Sequence, residues 1–199
     1  MRKLIVSMNV TLDGFMSGTQ CELDWHFTYW SSEMSEAMCC QLSSVDTLLF
    51  GRITYQAMAH YWSSKLDDHS LEREEIAFAY KMNELAKIVF SNTLTEINWK
   101  QTTVIKGDVA QMITPLKCSA GKNIMVYGSG QLVCALMQAN LVDELQLWMH
   151  PVALSNGMPL FKNDVQLSLK LVDSTVFRSG VVLLCYHIEK NKQPENYNL

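Results

Sequence analysis

No two cysteines in this chain stand in C-x-x-C spacing, and no set of cysteines and histidines has the spacing of a zinc site. Redox-dithiol and structural-zinc readings are therefore set aside, and no metal is expected. The six cysteines, Cys21, Cys39, Cys40, Cys118, Cys134 and Cys185, read as unpaired. Four lie in apolar runs, where cysteine packs as a small hydrophobe. This usage fits a reducing compartment, so the expected location is the cytoplasm. Charge is also scarce: 18% of residues are charged and the formal net charge is −4. That balance leaves no basic footprint for nucleic acid or for an anionic membrane. No stretch approaches the roughly 20 apolar residues needed to cross a bilayer. There is no internal repeat, low-complexity segment or linker.

What is present is apolar. Hydrophobic residues make up 48% of 199, enough to build a core without covalent staples and too many for disorder. The opening, MRKLIVSMNVTLDG, has the charged start and short apolar run of a signal peptide. However, Ser7, Asn9 and Thr11 interrupt the run and no small-residue cleavage pattern follows, so it reads as a first strand over residues 3–12.

Further along, short apolar runs alternate with helical patterns. Strands are expected at 46–50, 87–90, 102–106 and 123–127, and helices at 31–42, 53–62, 72–85 and 131–139. Asp108 is placed to cap a further helix, which Pro115 should end early or kink. Asn140 is a plausible left-handed stop. From Glu144 the pattern changes to three strand-like runs without helices between them, the last two joined by Arg178-Ser179-Gly180 as a hairpin. A polar tail, expected to fray, starts at Glu189. The order predicts one α/β domain over 1–188: a mixed, mostly parallel sheet, helices on both faces and an antiparallel C-terminal edge hairpin.

Three strand ends carry residues suited to anions. In LLFGRITYQ (48–56) a strand ends at Gly51 and a helix begins beside Arg52 and Thr54. Free amides at a helix start attract anions, and a guanidinium grips phosphate in bidentate fashion. An ordinary helix start with a surface arginine reads equally well. In IMVYGSGQL (124–132) a strand runs into Gly128-Ser129-Gly130, with Gln131 and Leu132 opening a helix; Ser129 could cap it. A plain glycine turn is the simpler reading there. In VFSNTL (89–94), Ser91, Asn92 and Thr93 crowd polar groups at a strand's C-terminal end, the edge where ligands gather in open α/β sheets.

These segments, with SMNVTLDGFMSG (7–18), ELDWH (22–26) and LVDELQLWMHPVALSNGMPLF (141–161), resemble in their order the dihydrofolate-reductase-like superfamily. Within it the chain is similar to the reductase domain of bacterial riboflavin deaminase–reductases, over roughly residues 2–188. The resemblance implies a three-layer dihydrofolate-reductase-like fold, NADPH as hydride donor, riboflavin biosynthesis, a small-molecule substrate and a homodimer. It implies phosphate contacts from Gly51, Arg52 and Thr54, a 2′-phosphate site at Ser91, Asn92 and Thr93, and a pyrophosphate turn at Gly128, Ser129, Gly130, Gln131 and Leu132. The nicotinamide would lie over Val10 to Gly14. Val10, Trp25 and Trp30 would face the substrate.

The chain departs from that pattern at two places. The acid that supports pterin protonation in dihydrofolate reductases, five residues past the tryptophan, is here Trp30, with Glu33 the nearest acid. Tyr127-Gly128 stands where the family has a Gly-Gly pair joined by a cis peptide. Candidates for acid–base work are Asp13, Asp24 and His26, although Asp13-Gly14 is also a common turn pair and loop histidines are usually solvated. His150, before Pro151, reads as a packing or hydrogen-bonding residue. The expected activity is reduction of a small heterocycle, as by 5-amino-6-(5-phosphoribosylamino)uracil reductase. The alternatives are a dihydrofolate or pterin reductase and a non-catalytic nucleotide-binding protein.

Overall fold

The computed structural model describes residues 1–67, 70–161 and 166–189. Its elements follow in the order β1 (Leu4–Thr11), β2 (Phe15–Ser17), α1 (Asp24–Phe27), α2 (Ser32–Ser43), β3 (Val45–Gly51), α3 (Arg52–Ser64), a 3-10 turn (Lys65–Asp67) and α4 (Arg73–Glu84). There follow β4 (Ala86–Phe90), β5 (Thr102–Ile105), α5 (Val109–Cys118), β6 (Asn123–Val126), α6 (Gly130–Gln138), β7 (Glu144–His150), β8 (Met158–Pro159), β9 (Leu169–Val176) and β10 (Val182–Ile188).

Eight strands form one sheet in the order β5-β4-β3-β6-β1-β7-β10-β9. From β5 to β7 every pairing is parallel, while β10 runs antiparallel to both β7 and β9. The side-chain period of two sends alternate residues to opposite faces. On β1, Ile5 enters one core and Leu4 and Val6 the other; on β3, Leu48 and Phe50 enter the first and Leu49 the second. The first core packs under Met34, Met38 and Leu42 of α2, Tyr55, Ala59 and Trp62 of α3, and Phe78, Ala79 and Met82 of α4. The second packs under Ile113 of α5 and Leu132, Val133 and Leu136 of α6. The central strands are thus buried on both faces, which is why they read as continuous apolar runs. At the strands' N-terminal ends, ion pairs from Arg2 to Asp46 and from Lys117 to Asp143 tie neighbouring segments.

Local signals match this frame, with exceptions. Asp108 Oδ1 accepts from the Gln111 amide at 2.9 Å, and Asn140 has φ 54°. The Arg178–Gly180 turn closes the β9–β10 hairpin. Pro115 does not stop α5, which runs on to Cys118. The missing N–H there forfeits one intrahelical bond, and only a turn of helix remains to be completed. Of the six cysteines only Cys185 is buried; Cys21, Cys40 and Cys118 are exposed. Strands β2 and β8, each three residues or fewer, pair with each other in a small second sheet that the sequence does not signal. The expected fraying of the tail falls mostly outside the described residues. Among the described residues no helix is long and apolar enough to cross a membrane.

Candidate active site

The C-terminal ends of β3, β4, β5 and β6 lie side by side, so the segments leaving them are gathered at one edge of the sheet. There they enclose a groove of about 450 Å³. Gly51, Arg52 and Ile53 line it from the β3–α3 junction, Ser91, Asn92 and Thr93 from the end of β4, and Ser129, Gln131 and Leu132 from the β6–α6 junction. Arg52 is the one charged side chain among the lining residues. It is exposed, with Nη1 donating to Gln56 Oε1 at 3.1 Å and, among the described residues, no carboxylate in contact.

Two helices start at this groove with no side-chain cap. Gly51 is the N-cap of α3 and can offer none, and Ser129 sits at the N-cap of α6 without making a cap bond. The expected Ser129 cap is therefore absent, because its Oγ lies against Gly51 instead. Both first turns keep amides available to an anion. The turns themselves are in contact: Gly51 N donates to Gly128 O at 2.9 Å. A Cβ on Gly51 would fall 2.3 Å from Ser129 Oγ, and one on Gly128 3.0 Å from Thr54 Oγ1. Gly128 has φ +121°, a conformation open in practice only to glycine. The cis peptide lies between Gly128 and Ser129, one position beyond the Tyr127-Gly128 pair singled out from the sequence. Thus Thr54 supports the Gly128 turn, and neither Thr54, Gly128 nor Gly130 is among the groove's lining residues.

The Ser91–Thr93 turn is held from below. Ser91 Oγ accepts from the amides of Thr93 (3.1 Å) and Leu94 (3.0 Å), leaving its proton available. The segment after it is pinned by Trp99, whose Nε1 donates to Asn83 Oδ1 at 2.7 Å and whose backbone N–H donates to Tyr55 Oη at 3.2 Å. Buried Lys87 lies 4.6 Å from the Trp99 ring centre and donates to the carbonyls of Asn83, Leu85 and Lys100. Desolvation, opposed by Glu84, lowers its pKa to about 8.

Sequence reading missed Ile53, Phe90, Ile105, Gly107, Val109 and Ala135 in the groove. A signal for two of them was present: Ile105-Lys106-Gly107 repeats the strand-then-glycine pattern of Phe50-Gly51. Ala135 lies one helical turn beyond Gln131, on the same face of α6.

A second cluster lies on the first-core face of β1 and β7. His150, 1% exposed, places Nε2 3.0 Å from Asn9 Oδ1, and Trp148 Nε1 donates to Ser7 Oγ at 3.1 Å. Trp25 and Tyr29 pack edge-on to His150, with ring centres 5.1 and 6.0 Å away. His26 joins Trp25 to Trp30, at 6.0 and 6.4 Å. Burial lowers the pKa of His26, against the Leu23 carbonyl and Asp24, which raise it. Trp25, His26 and Trp30 are thus brought together, while Asp24 stays exposed. Val10 is not with them: it is buried in the second core, on the opposite face. Asp13 is engaged elsewhere. Its carboxylate accepts from Thr11 Oγ1 (2.6 Å) and the amides of Leu154 (3.2 Å) and Ser155 (2.7 Å), contacts that lower its pKa and clip two loops together. Trp30 Nε1 donates to Glu75 Oε1 at 3.1 Å, and Glu33 pairs with Arg178. Ser7, Asn9, Tyr29, Trp148 and His150 are residues of this cluster that sequence patterns did not offer as ligand contacts.

Known proteins share this architecture. The Bacillus subtilis (strain 168) protein YyaP, itself uncharacterized, is 34% identical over 187 residues, covering 94% of this chain and 95% of that one. A Thermotoga maritima diaminohydroxyphosphoribosylaminopyrimidine deaminase/5-amino-6-(5-phosphoribosylamino)uracil reductase superposes with TM-score 0.63 at 14% identity, over 94% of this chain and 57% of that one. Dihydrofolate reductase from Enterococcus faecalis, solved with NADP(H), superposes with TM-score 0.58 at 12% identity, over 94% and 96%. These two likenesses show a dihydrofolate-reductase-like fold. The model of the RibD C-terminal domain matches residues 2–183, and the chain belongs to that family.

Proposed function

We propose that this protein is an NADPH-dependent reductase of a small heterocyclic or ribosylamino-pyrimidine substrate, similar to 5-amino-6-(5-phosphoribosylamino)uracil reductase. The observation that carries the reading is one groove into which two uncapped helix N-termini, an exposed guanidinium and a hydroxyl-bearing turn all open. Nothing in its lining opposes an anion, and an extended cofactor with separate phosphates suits separate anion sites better than a compact ligand does.

The residues present fit such a group. Arg52 and the first turn of α3 would hold the 2′-phosphate together with Ser91, Asn92 and Thr93. The turn of Ser129, Gln131 and Leu132 would hold the pyrophosphate, and Phe90, Ile105 and Val109 offer an apolar wall for a flat base. When bound, NADPH supplies the hydride. The chain's own part is to fix the cofactor and the substrate relative to each other and to exclude water, and orientation accounts for much of the rate in such reactions. The aromatic cluster of Trp25, Tyr29 and Trp30 would frame the substrate beside β1. The protein is proposed to act as a homodimer in the cytoplasm.

Calorimetric titration of the Arg52→Ala variant tests this. NADPH carries the extra phosphate that NADH lacks, so the substitution should weaken NADPH by about tenfold or more, the loss of one charge-assisted contact, and NADH much less. Equal losses for both would remove Arg52 from the 2′-phosphate site.

A further inference from the structure

Residues 91–101 join β4 to β5 without helix or strand, and of these only Leu94 and Trp99 are buried. The segment opens on Ser91, Asn92 and Thr93, which line the groove, and Trp99 holds its far end. Trp99, 2% exposed, is gripped on three sides. Its Nε1 donates to Asn83 Oδ1 at 2.7 Å, its backbone N–H donates to Tyr55 Oη at 3.2 Å, and its ring centre lies 4.6 Å from Lys87 Nζ. Asn83 is itself fixed, its Nδ2 donating to the carbonyls of Trp62 (3.0 Å) and Ala79 (2.8 Å). Lys87, 1% exposed, spends its donors on the carbonyls of Asn83 (2.7 Å), Leu85 (2.8 Å) and Lys100 (3.1 Å), the last being the residue after Trp99.

This is a costly way to hold one ring. Lys87 forms no ion pair among the described residues, so its burial carries a desolvation penalty. Apolar side chains of similar volume would often hold a core as well or better. What a fully satisfied polar network adds is one fixed geometry. Here that geometry reaches the groove. The Trp99 ring packs on Phe50 and Tyr55, with centres 5.8 and 6.1 Å away. Phe50 leads directly into Gly51, and Tyr55 lies one turn of α3 beyond Arg52. Trp99 therefore joins the loop that carries Ser91–Thr93 to the junction that carries Arg52.

We propose that Trp99, clasped by Asn83 and Lys87, is a positioning residue that sets the spacing between Arg52 and Ser91–Thr93, and through that spacing the preference for NADPH over NADH. This rests on the reductase reading and deepens it, because both walls meet at the 2′-phosphate, the group that separates the two cofactors. A phosphate gripped from two segments needs both at a fixed distance, since hydrogen bonds weaken steeply when misplaced. The pyrophosphate turn at Ser129, Gln131 and Leu132 serves both cofactors alike.

The test is calorimetric titration of NADPH and of NADH into the full-length wild type and three variants. Trp99→Leu removes the ring and its N–H. Lys87→Met keeps the stem and removes the ammonium, so the test holds even where Trp99→Leu does not fold. Leu42→Ala, a core deletion in α2 just before the N-terminal end of β3, is the control for a general loss of packing far from the groove. Melting curves establish that each variant is folded. The wild type should prefer NADPH by at least about tenfold. Trp99→Leu should cut that preference by about fivefold or more and Lys87→Met by about threefold, while Leu42→Ala leaves it in place. A general loss of stability lowers both affinities together and does not move their ratio. The proposal is overturned if the folded Trp99 and Lys87 variants keep the wild-type preference, or if Leu42→Ala lowers it as much as they do. If the wild type binds both cofactors equally, the proposal falls and the nicotinamide-cofactor reading stands. If it binds neither, that reading falls and takes the proposal with it.

Discussion

His150 ties a titration to the stability of the fold. Its pKa drops from the ordinary 6.5 to about 4 because the ring is desolvated beside His26. Between those two values the unfolded chain binds a proton that the native ring refuses. Stability should be level above pH 6.5 and fall as the pH drops towards 4, by up to ~3 kcal/mol for this one group. His26, shifted the same way by burial, adds to the same slope. Denaturant unfolding at a series of pH values checks this: His150→Gln should flatten the acid limb, and an unchanged limb would assign the loss to the carboxylates instead. None of this was legible from residue type. The sequence placed His150 in a strand as a packing or hydrogen-bonding residue, which it is, but burial and the Asn9 contact depend on β1 lying beside β7, 141 positions away in the chain.

At the level of elements, the junctions β3–α3 and β6–α6 act as one piece. Gly51 N donates to Gly128 O, and Ser129 fills the space above Gly51. Gly51→Ala brings a Cβ to 2.3 Å from Ser129 Oγ and 3.0 Å from Ser129 Cβ, so the two turns must separate. The expected cost is ~1–3 kcal/mol, typical of overpacking. Because the clash is specific, Ser129→Gly should return much of it in the double variant, a coupling that thermal melts of the four proteins in the cycle would measure. Additive losses would mean that Gly51 is required for another reason. These junctions were legible because each joins an apolar run, a glycine and a helical pattern within nine residues. The partnership between Gly51 and Ser129 was not, since it needs β6 to lie next to β3. The pair β2–β8 was not legible either, as strands of three and two residues are too short to carry a period of two. The early end expected at Pro115 did not come, because proline's effect depends on how much helix follows it, and here only three residues do.

The whole molecule is a sheet whose order differs from the order of the chain. The alternation of strands and helices up to Gln138, followed by strands alone, announced parallel pairing and then an antiparallel edge, and that is the sheet found. What no local pattern could announce is that β6 enters between β3 and β1. That insertion brings the phosphate-suited turn after β6 against the one after β3 and turns separate weak signals into one groove. It also leaves β1 and β7 to carry the aromatic cluster at a neighbouring place. Groove and cluster together are the basis for reading a cofactor site beside a substrate site. The most direct measurement is calorimetric titration of NADPH into the wild-type protein. The expected result is a saturable isotherm with one NADPH per chain and a dissociation constant in the range of micromolar or below, weakened by rising salt as phosphate contacts are screened. The absence of binding at tens of micromolar NADPH at low salt, ~6–7 kcal/mol of affinity not realised, is incompatible with the groove being a nicotinamide-cofactor site.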